Sequence, residues 1–178
     1  MSAFRIDATS GAARAGTLTL PHGAVETPCF MPVGTQGTVR TLSPTDLRAV
    51  GARVLLANTY HLHVRPGEGV VAKLGGLHRF MAWDGPIVTD SGGYQVWSLA
   101  ALRTIREEGV RFRSHLDGGA EHLLTPELVV EVQQALGVDV LHPLDECLPH
   151  PAPREAAEAS MRRTLRWARR AHAAHVAG

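Results

Sequence analysis

The sequence predicts an α/β protein that is built from successive strand–helix units. Two observations indicate this class: apolar strands that end at polar residues, and helix-start signals, Ser or Thr followed by Pro, between those strands. An apolar run without polar alternation is typical of a parallel strand that helices cover on both faces. The strands that we expect to end near Val33, Asn58, Asp90 and Asp145 therefore indicate four βα units. Doubly wound sheets and (β/α)8 barrels both begin in this way.

The first predicted elements are a hairpin, a short helix and a buried strand. Residues 17–33 alternate apolar and polar side chains around the turn residues 21–23, which predicts two paired strands. Ser43 is an N-cap residue before a proline, and Gly51 marks the end of the helix that follows. The apolar residues 53–58 then predict a buried strand.

The middle of the chain predicts a second buried strand and an inserted hairpin. A short helix is expected after Pro66, and residues 86–89 form the strand that precedes Asp90. Residues 110–124 consist of two short alternating runs around residues 117–119, an arrangement that is typical of a hairpin. The chain therefore leaves the strand–helix pattern between two of its units.

The last third predicts two helices and a strand between them. Thr125 is an N-cap and Gly137 a C-cap, and the apolar side chains between them repeat at helical spacing. Residues 138–144 predict the next strand, and a final helix begins at Pro153 and runs toward His175. The expected core positions of this helix are Ala156, Ala159, Leu165 and Ala168.

Length and composition indicate one globular domain over residues 1–178, without a second domain. A closed (β/α)8 barrel typically needs about 250 residues, so a barrel of this kind would be half complete. The formal net charge of +1 does not by itself indicate a nucleic-acid-binding protein. Cys29 and Cys147 belong to neither a disulfide framework nor a spaced zinc motif. Because no apolar leader and no run of about eighteen apolar residues is present, we expect a cytoplasmic protein with no membrane partner.

The residues after the second buried strand are the first candidates for function. Asp90-Ser91-Gly92-Gly93-Tyr94 brings a carboxylate, a hydroxyl, two glycines and an aromatic ring to the carboxyl end of a strand. Small molecules bind at this end in α/β folds, and a glycine pair allows close approach to the backbone. The segment predicts a pocket for a planar ligand that forms hydrogen bonds, with Tyr94 as a stacking face. Its spacing matches neither a dinucleotide fingerprint nor a phosphate loop, so no nucleotide cofactor is expected.

Asp90 and Asp145 form a candidate pair of carboxylates. Both follow apolar strands, and the carboxyl ends of parallel strands lie along one rim, so we expect the two side chains in one pocket. The alternative is structural, because aspartate is a favoured turn residue and a tyrosine here often only packs. The presence of both carboxylates beside Ser91 and Tyr94 favours the pocket.

The histidines and the arginines of the last helix give weaker signals. The ten histidines are dispersed, and neither His61 with His63 nor His172 with His175 has further ligands of suitable type nearby, so no metal site is predicted. The arginines favour a solvated face, with phosphate contact as the functional alternative. These are Arg154, Arg162, Arg163, Arg166, Arg169 and Arg170.

Six segments, in this order, closely resemble the tRNA-guanine transglycosylase (queuine tRNA-ribosyltransferase) family. They are PVGTQGTV, LLANTYHLHVRPG, GGLHRFMAWDGPIVTDSGGYQVWSL, GVRFRSHLDG, LTPE and LDEC, between about Gly16 and Pro153. The resemblance implies a (β/α)8 barrel of which this chain is the amino-terminal half. It also implies a glycosyltransferase that exchanges guanine at the wobble position of tRNA for a 7-deazaguanine, a queuosine precursor. The implied partners are tRNA and the guanine or 7-deazaguanine base.

The resemblance also implies roles for individual residues. Asp90 matches a proton acceptor beside the reacting base, on which Tyr94 would stack after the base leaves the helix. Asp145 matches the carboxylate that accepts hydrogen bonds from N1 and the exocyclic amine of the base, and Cys147 lies against the base. The full implied set is Asp90, Ser91, Gly92, Gly93, Tyr94, Asp145 and Cys147 for the substrate base, and Val33, Leu56 and Asn58 for the ribose pocket.

The family also has parts that cannot be placed on this sequence. Its members continue for about another half barrel, with the nucleophilic aspartate, tRNA-binding segments and a zinc site of three cysteines and a histidine, so no metal is expected here. His142-Pro143 stands where the family has small or apolar residues, and we expect proline to perturb strand pairing. The chain is expected to be a fragment of a complete enzyme, a half that assembles with a second polypeptide, or an inactive relic; the homodimer of the family is a further option.

Retention of Asp90 and Asp145 favours catalytic-family identity over the alternative, a non-catalytic subunit that binds the base or tRNA.

Overall fold

The computed structural model describes residues 3–98 and 103–177, and within them the strands form three sheets of three strands each. The strands are β1 (Phe4–Ser10), β2 (Ala13–Leu20), β3 (Gly23–Thr27), β4 (Leu55–Ala57), β5 (Ile87–Thr89), β6 (Arg103–Ile105), β7 (Val110–Arg113), β8 (Glu121–Leu124) and β9 (Val140–Leu141). The helices are α1 (Pro44–Ala49), α2 (Thr59–Val64), α3 (Glu68–Lys73), α4 (Gly76–Met81), α5 (Gly93–Ser98), α6 (Pro126–Leu136) and α7 (Arg154–Ala177). None of the described helices combines the length and the apolar character that a membrane span requires.

The central sheet is parallel and has the strand order β4, β5, β9. Leu56 is paired with Val88, and Val88 with Val140, so the three strands lie in chain order within the sheet, with the inserted strands β6–β8 in a separate sheet. Val33 adds a single parallel bridge to Leu56, at the place where the first strand was expected to end. The predicted α/β class is confirmed, and the described residues form a parallel sheet that is not closed into a barrel.

The helix boundaries coincide with the capping residues of the sequence. The Ser43 hydroxyl accepts a hydrogen bond from the amide of Asp46, whose carboxylate accepts one from the Ser43 amide, and this capping box begins α1. The Thr125 hydroxyl accepts a bond from the amide of Leu128 at the start of α6, and Gly137 ends that helix with a φ of 69°. The predicted limits of both helices are confirmed. The short helix expected after Pro66 is α3, whereas α2, α4 and α5 were not predicted.

Both predicted hairpins are present, and each is extended to three strands. β2 and β3 pair on either side of residues 21–22, with Leu20 opposite Gly23, and β1 is added to β2. β7 and β8 pair on either side of residues 117–119, and β6 is added to β7. Strand β1 was not predicted, although Phe4, Ile6 and Ala8 alternate with polar residues, which is a strand signal.

Three groups of buried apolar side chains hold these layers together. The largest contains Ile87 and lies between the parallel sheet and helices α1, α3, α4 and α6. The second lies under the inserted sheet, where Phe112 and Trp167 are almost fully buried. In the third, Val25 of β3 packs against Val54 just before β4. The amino-terminal sheet therefore covers the amino ends of the parallel strands and leaves their carboxyl ends free.

The predicted core face of α7 is wrong. Leu165 is 51% exposed, and the four expected core positions comprise the exposed Ala156, Ala159 and Leu165 and the half-buried Ala168. The buried positions are Ser160, Trp167 and Ala171. The reason is the size of Trp167, which reaches under the inserted sheet and donates its Nε1–H to the backbone carbonyl of Glu107 at 2.8 Å. One large side chain sets the rotation of the helix and outweighs several alanines.

The predicted strand over residues 138–144 is shorter than expected, because only Val140–Leu141 pairs as β9. Beyond it the Gln133 side chain takes the place of a neighbouring strand. The His142 amide donates to Gln133 Oε1 at 3.0 Å, and Gln133 Nε2 donates to the His142 carbonyl at 3.0 Å. Pro143 follows and has no N–H to donate to a sheet. Val54 and Asn58 likewise fall outside β4, which is shorter than the predicted strand.

Candidate active site

A cavity of about 360 Å³ opens beside the carboxyl ends of β5 and β9. Its lining residues are Asp90, Ser91, Tyr94, His142, Pro143 and Asp145. Asp90 follows β5 directly, and Asp145 lies a short segment beyond β9. Because β5 and β9 are parallel neighbours, their carboxyl ends bring both carboxylates to one rim. The structure thus joins four of the predicted site residues in one cavity.

Hydrogen bonds to both carboxylate oxygens hold the side chain of Asp90 in place. Its Oδ1 accepts bonds from the backbone amides of Thr59, at 3.0 Å, and Gly92, at 3.2 Å. Its Oδ2 accepts bonds from the side-chain amides of Asn58 and, at 2.8 Å, Gln95. The Thr59 hydroxyl also donates to the backbone carbonyl of Asp90. This arrangement fixes the rotamer of a carboxylate that borders an open cavity.

Asp145 is anchored at one oxygen only. Its Oδ1 accepts a bond from the Ser91 hydroxyl at 2.6 Å, and the Ser91 oxygen in turn accepts the amide of Gly93 at 3.1 Å. Its Oδ2 lies 3.5 Å from Cys147 Sγ, a weak donor. Burial and the Asp145 charge together raise the pKa of the Cys147 thiol to about 11. The thiol therefore stays protonated at neutral pH and does not repel the carboxylate.

The glycine pair is explained by two close approaches within the protein. A Cβ on Gly93 would lie 2.6 Å from both the carbonyl oxygen and Oδ1 of Asp145. Gly92 has a φ of +80°, and a Cβ there would lie 3.2 Å from the Tyr60 backbone nitrogen. Gly93 therefore allows Asp145 to lie directly against the start of α5, and Gly92 allows the close approach of the Tyr60 backbone.

Tyr94 lies at the edge of the cavity with its side chain largely free. The residue is 62% exposed, and its ring is tilted against that of Trp97 with 5.4 Å between the centroids. A tyrosine that only packs would be buried. The exposed ring favours the interpretation as a stacking face over the packing alternative.

The residues expected around the ribose lie on the neighbouring strand and do not line this cavity. Val33 and Leu56 are paired with each other by the isolated bridge. Asn58 precedes α2 and contacts the site through its bond to Asp90. Cys147 is also absent from the lining of the cavity and reaches the site through Asp145.

Two residues that hold Asp90 were not singled out from the sequence. Thr59 and Gln95 both lie within the family segments quoted above, so the sequence could have indicated them as candidates. The hydrogen bond from Thr59 to Asp90 could not be predicted, because Thr59 lies far from Asp90 along the chain and approaches it only through the pairing of β4 with β5. This contact joins residues that are far apart along the chain, so the residues around either one do not indicate it.

The opposite end of the same strands carries a group that was also missed. Asp139 precedes β9, and its carboxylate lies 2.8 Å from His22 Nδ1 and 3.1 Å from His78 Nε2. The two rings stack with 3.6 Å between centroids. Burial acts to raise the pKa of Asp139, but hydrogen bonds from the Ile87 amide and from His22 hold the pKa below its usual value. The carboxylate is therefore the charged partner that joins the amino-terminal hairpin to the sheet.

Among the described residues, this group is the one whose ligand atoms could hold a divalent cation. The potential ligand atoms of His22, His78 and Asp139 lie within 4.8 Å of one another, and imidazole with carboxylate suits zinc. In the structure these atoms are hydrogen-bonded to each other. Neither of the two histidine pairs that were considered from the sequence belongs to this group, and His63 of the first pair contacts Glu68 at 2.9 Å.

The arginines of α7 mostly form ion pairs. Arg163 contacts Glu146 at 2.6 Å, and Arg166 contacts Glu107 at 2.6 Å. Arg162 pairs with Glu158 and Arg170 with Glu127, and Arg163 also lies 3.8 Å from Glu107. Among the described residues, only Arg154 and Arg169 of this helix lack such a partner. The pairing favours the structural interpretation of the arginine face over phosphate contact.

The fold and the site define a class: an α/β protein with a carboxylate-lined cleft at the carboxyl ends of its parallel strands. The chain belongs to the queuine tRNA-ribosyltransferase family, because the model of that family matches residues 7–177. The resemblance indicated by the six segments is thereby confirmed.

Individual relatives agree with this assignment. The queuine tRNA-ribosyltransferase of Solidesulfovibrio magneticus is 59% identical over 98% of this chain and 47% of the relative. That of Desulforamulus reducens is 58% identical over 92% of this chain and 44% of the relative. That of Desulforudis audaxviator is 60% identical over 91% of this chain and 43% of the relative. The chain therefore spans a little under half the length of these curated relatives.

Proposed function

We propose that this chain provides the base-binding half of a tRNA-guanine transglycosylase, which exchanges guanine at the wobble position of tRNA for a 7-deazaguanine by double displacement. The observation that carries the proposal is the cavity at the carboxyl ends of β5 and β9, which Asp90 and Asp145 line together with Ser91 and Tyr94. Family membership over residues 7–177 supports it independently.

Asp145 is the residue proposed to recognise the edge of the base through hydrogen bonds. Its two oxygens present adjacent acceptors, and guanine presents two adjacent donors, N1–H and the exocyclic amine. Ser91 holds one oxygen at 2.6 Å and so fixes the plane of the carboxylate. Adenine has an acceptor at N1, which would leave a charged acceptor unpaired at a cost of about 1–3 kcal/mol. This difference favours guanine and 7-deazaguanines over adenine.

Asp90 is the proposed acid–base residue beside the base. Its orientation is set by four hydrogen bonds, from Thr59, Gly92, Asn58 and Gln95. A fixed carboxylate can accept a proton from the incoming base and return one to the departing base. The base must leave the anticodon stack to reach this site, and stacking on Tyr94 would offset about 1–3 kcal/mol of that cost.

The nucleophile is assigned to the part of the family's length that this chain does not span. Exchange with retention requires a carboxylate that attacks the ribose C1′ and holds a covalent intermediate while one base replaces the other. Asp90 and Asp145 are already engaged with the base in this scheme. The zinc site of the family needs three cysteines, and the two cysteines of this chain, an exposed Cys29 and a half-buried Cys147, do not fit it.

The parallel sheet is proposed to be the first half of the family's (β/α)8 barrel. β9 pairs only with β5 among the described residues, so its other edge is free to accept a strand. Beside this edge a cavity of about 530 Å³ lies between β9 and α7. A complementing carboxyl-terminal half, in the same or a second polypeptide, would supply the next strand there, and a homo-oligomer remains the further option.

Calorimetry with guanine and adenine tests the base site. The wild-type chain is expected to bind guanine and not adenine, and Asp145→Ala is expected to abolish guanine binding. Asp84→Ala is the matched control, because Asp84 is an exposed carboxylate that pairs with Arg48 on the surface. Unchanged guanine binding in Asp145→Ala would contradict the assignment of the pocket.

A complementation assay separates the catalytic proposal from its alternative, a non-catalytic subunit that binds the base or tRNA. The chain alone is expected to incorporate no labelled guanine into tRNA, because the nucleophile is not assigned to it. Addition of the carboxyl-terminal half of a relative is expected to restore incorporation. If guanine binds but the complemented pair stays inactive, the alternative is correct.

A further inference from the structure

Helix α6 carries a buried glutamine that contacts a residue in the wall of the base cavity. Gln133 is fully buried, and it is the only polar side chain among the buried residues of that helix. The other buried positions, such as Val129 and Val132, are apolar, as expected for a helix face that packs against a sheet. A primary amide at such a position is costly unless the protein itself satisfies its hydrogen bonds. The partners of Gln133 therefore indicate what the amide does.

All four hydrogen-bonding positions of the Gln133 amide are used. Its Oε1 accepts bonds from the Thr89 hydroxyl at 2.8 Å and from the His142 backbone amide at 3.0 Å. Its Nε2 donates to the backbone carbonyls of Val129 and His142, both at 3.0 Å. A primary amide has two lone pairs on its oxygen and two N–H groups on its nitrogen. Because three of the four partners are backbone groups that can only donate or only accept, the orientation of the amide is fixed.

The two segments that Gln133 joins are those that lead to Asp90 and Asp145. Thr89 is the last residue of β5 and directly precedes Asp90. His142 directly follows β9, lines the base cavity and stands a short distance before Asp145 in the chain. The backbone pairing of β5 with β9 ends before His142. The glutamine therefore connects the two segments at the point where the backbone ladder stops.

The backbone alone could not hold the segment that carries Asp145. Pro143 has no N–H and cannot continue the ladder from β9. Gln133 bonds both the amide and the carbonyl of His142, and so presents the acceptor and the donor that a neighbouring strand would present. Leu144 is fully buried in the apolar group under the inserted sheet. The chain therefore reaches Asp145 from two fixed residues.

We infer that Gln133 is a positioning residue of the base site, which fixes the separation of the Asp90 and Asp145 carboxylates by joining the segments that carry them. It does not line the base cavity, so it acts through Thr89 and His142. The inference rests on the proposed function, in which one base contacts both carboxylates and their separation has to match it. A glutamine that only stabilised the sheet would affect the free energy of unfolding and leave guanine affinity unchanged.

Calorimetry with guanine on variants of the 178-residue chain tests this role. Gln133→Met keeps a similar size and removes all four hydrogen bonds, so the Kd for guanine is expected to rise about tenfold as the carboxylates lose their separation. Val132→Ala is the matched control, because Val132 is a buried residue of the same helix that packs in the apolar group around Ile87. It is expected to lower the urea midpoint and leave the Kd as in the wild type. A wild-type Kd in Gln133→Met, or an equal rise in Val132→Ala, would overturn the inference.

Thr89→Val is a milder variant that keeps the test decisive if Gln133→Met does not fold. It preserves the shape of the side chain and removes only the bond to Gln133 Oε1, so the Kd is expected to rise about threefold. If Gln133→Met does not fold, an unchanged Kd in Thr89→Val overturns the inference. If it folds, the double variant is expected to bind guanine as Gln133→Met does, because the hydroxyl acts on the site through Gln133. Additive losses would contradict this route.

Hydrogen exchange of residues 142–147, followed by mass spectrometry, separates this inference from the proposed function. The His142 amide loses its acceptor in Gln133→Met, so the segment is expected to exchange about tenfold faster than in Val132→Ala. Equal exchange in the two variants contradicts the positioning role, whether or not guanine binds. A wild-type chain that binds no guanine contradicts the proposed function itself, and the exchange rates then still decide whether Gln133 holds this segment.

Discussion

The two ends of strands β5 and β9 carry aspartates in opposite situations. At the amino end, the side chain of Asp139 has no exposed surface, and each of its oxygens has two nitrogen partners. The His22 amide and ring lie at 3.1 and 2.8 Å, the His78 ring at 3.1 Å and the Ile87 amide at 2.9 Å. At the carboxyl end, Asp145 has one strong donor, from Ser91, and borders an open cavity.

This difference shows how to separate a structural carboxylate from a functional one. Aspartate at the end of a strand has both interpretations, and its place in the sequence does not decide between them. A carboxylate that is enclosed and fully hydrogen-bonded within the protein cannot reach a ligand, whereas one that borders a cavity can. Asp90 is intermediate, because four neutral donors orient it while it still borders the cavity.

The largest expected effect is on the free energy of unfolding, which should differ between variants at the amino end and at the carboxyl end of the strands. Asp139→Ala leaves the buried Ile87 amide and the two histidines without their acceptor, so the free energy of unfolding should fall by about 3 kcal/mol. Asp145→Ala removes one bond from Ser91 and should cost only about 1 kcal/mol. Urea denaturation of both variants measures this. Equal losses for the two variants would remove the distinction between the two ends.

A smaller effect is expected at the glycine that positions Asp145. In Gly93→Ala the new Cβ would meet the Asp145 oxygens at 2.6 Å and must push the carboxylate away. Guanine affinity should fall at least tenfold, or about 1.4 kcal/mol. Gly69→Ala is the control, because a Cβ there meets nothing within 4 Å. Wild-type affinity in Gly93→Ala would show that the position of Asp145 is not important for the base.

The smallest expected effect is a change in the alkylation rate of Cys147, which reports on the charge of Asp145. The raised pKa of this thiol, about 11, predicts slow alkylation by iodoacetamide at pH 8 and a rate that rises about tenfold per pH unit toward pH 10. The exposed Cys29 serves as the internal reference. Asp145→Asn removes one of the causes that raise the pKa, so Cys147 should react several-fold faster at pH 8. An unchanged rate would mean that burial alone sets its reactivity.

Much of the fold follows from local patterns. The limits of α1 and α6 coincide with Ser43, Thr125 and Gly137, because capping residues satisfy the free amides and carbonyls of a helix end locally. The two hairpins follow from alternation around turn residues in the same way. The buried face of α7 does not follow from local patterns, because Trp167 acquires its partner Glu107 only when the inserted sheet folds against the helix.

The candidate site shows the same division between features that the local sequence determines and features that packing determines. The sequence alone determined which residues follow the strands, so Asp90, Ser91, Tyr94 and Asp145 could be named as candidates, and six ordered segments were enough to identify the family. Only the tertiary structure decided how these residues are used. It joined Thr59 to Asp90 through strand pairing and brought His22 and His78 to Asp139. Helix caps, turns and strand ends depend on neighbours along the chain, whereas the satisfaction of a charge depends on groups that only packing brings together.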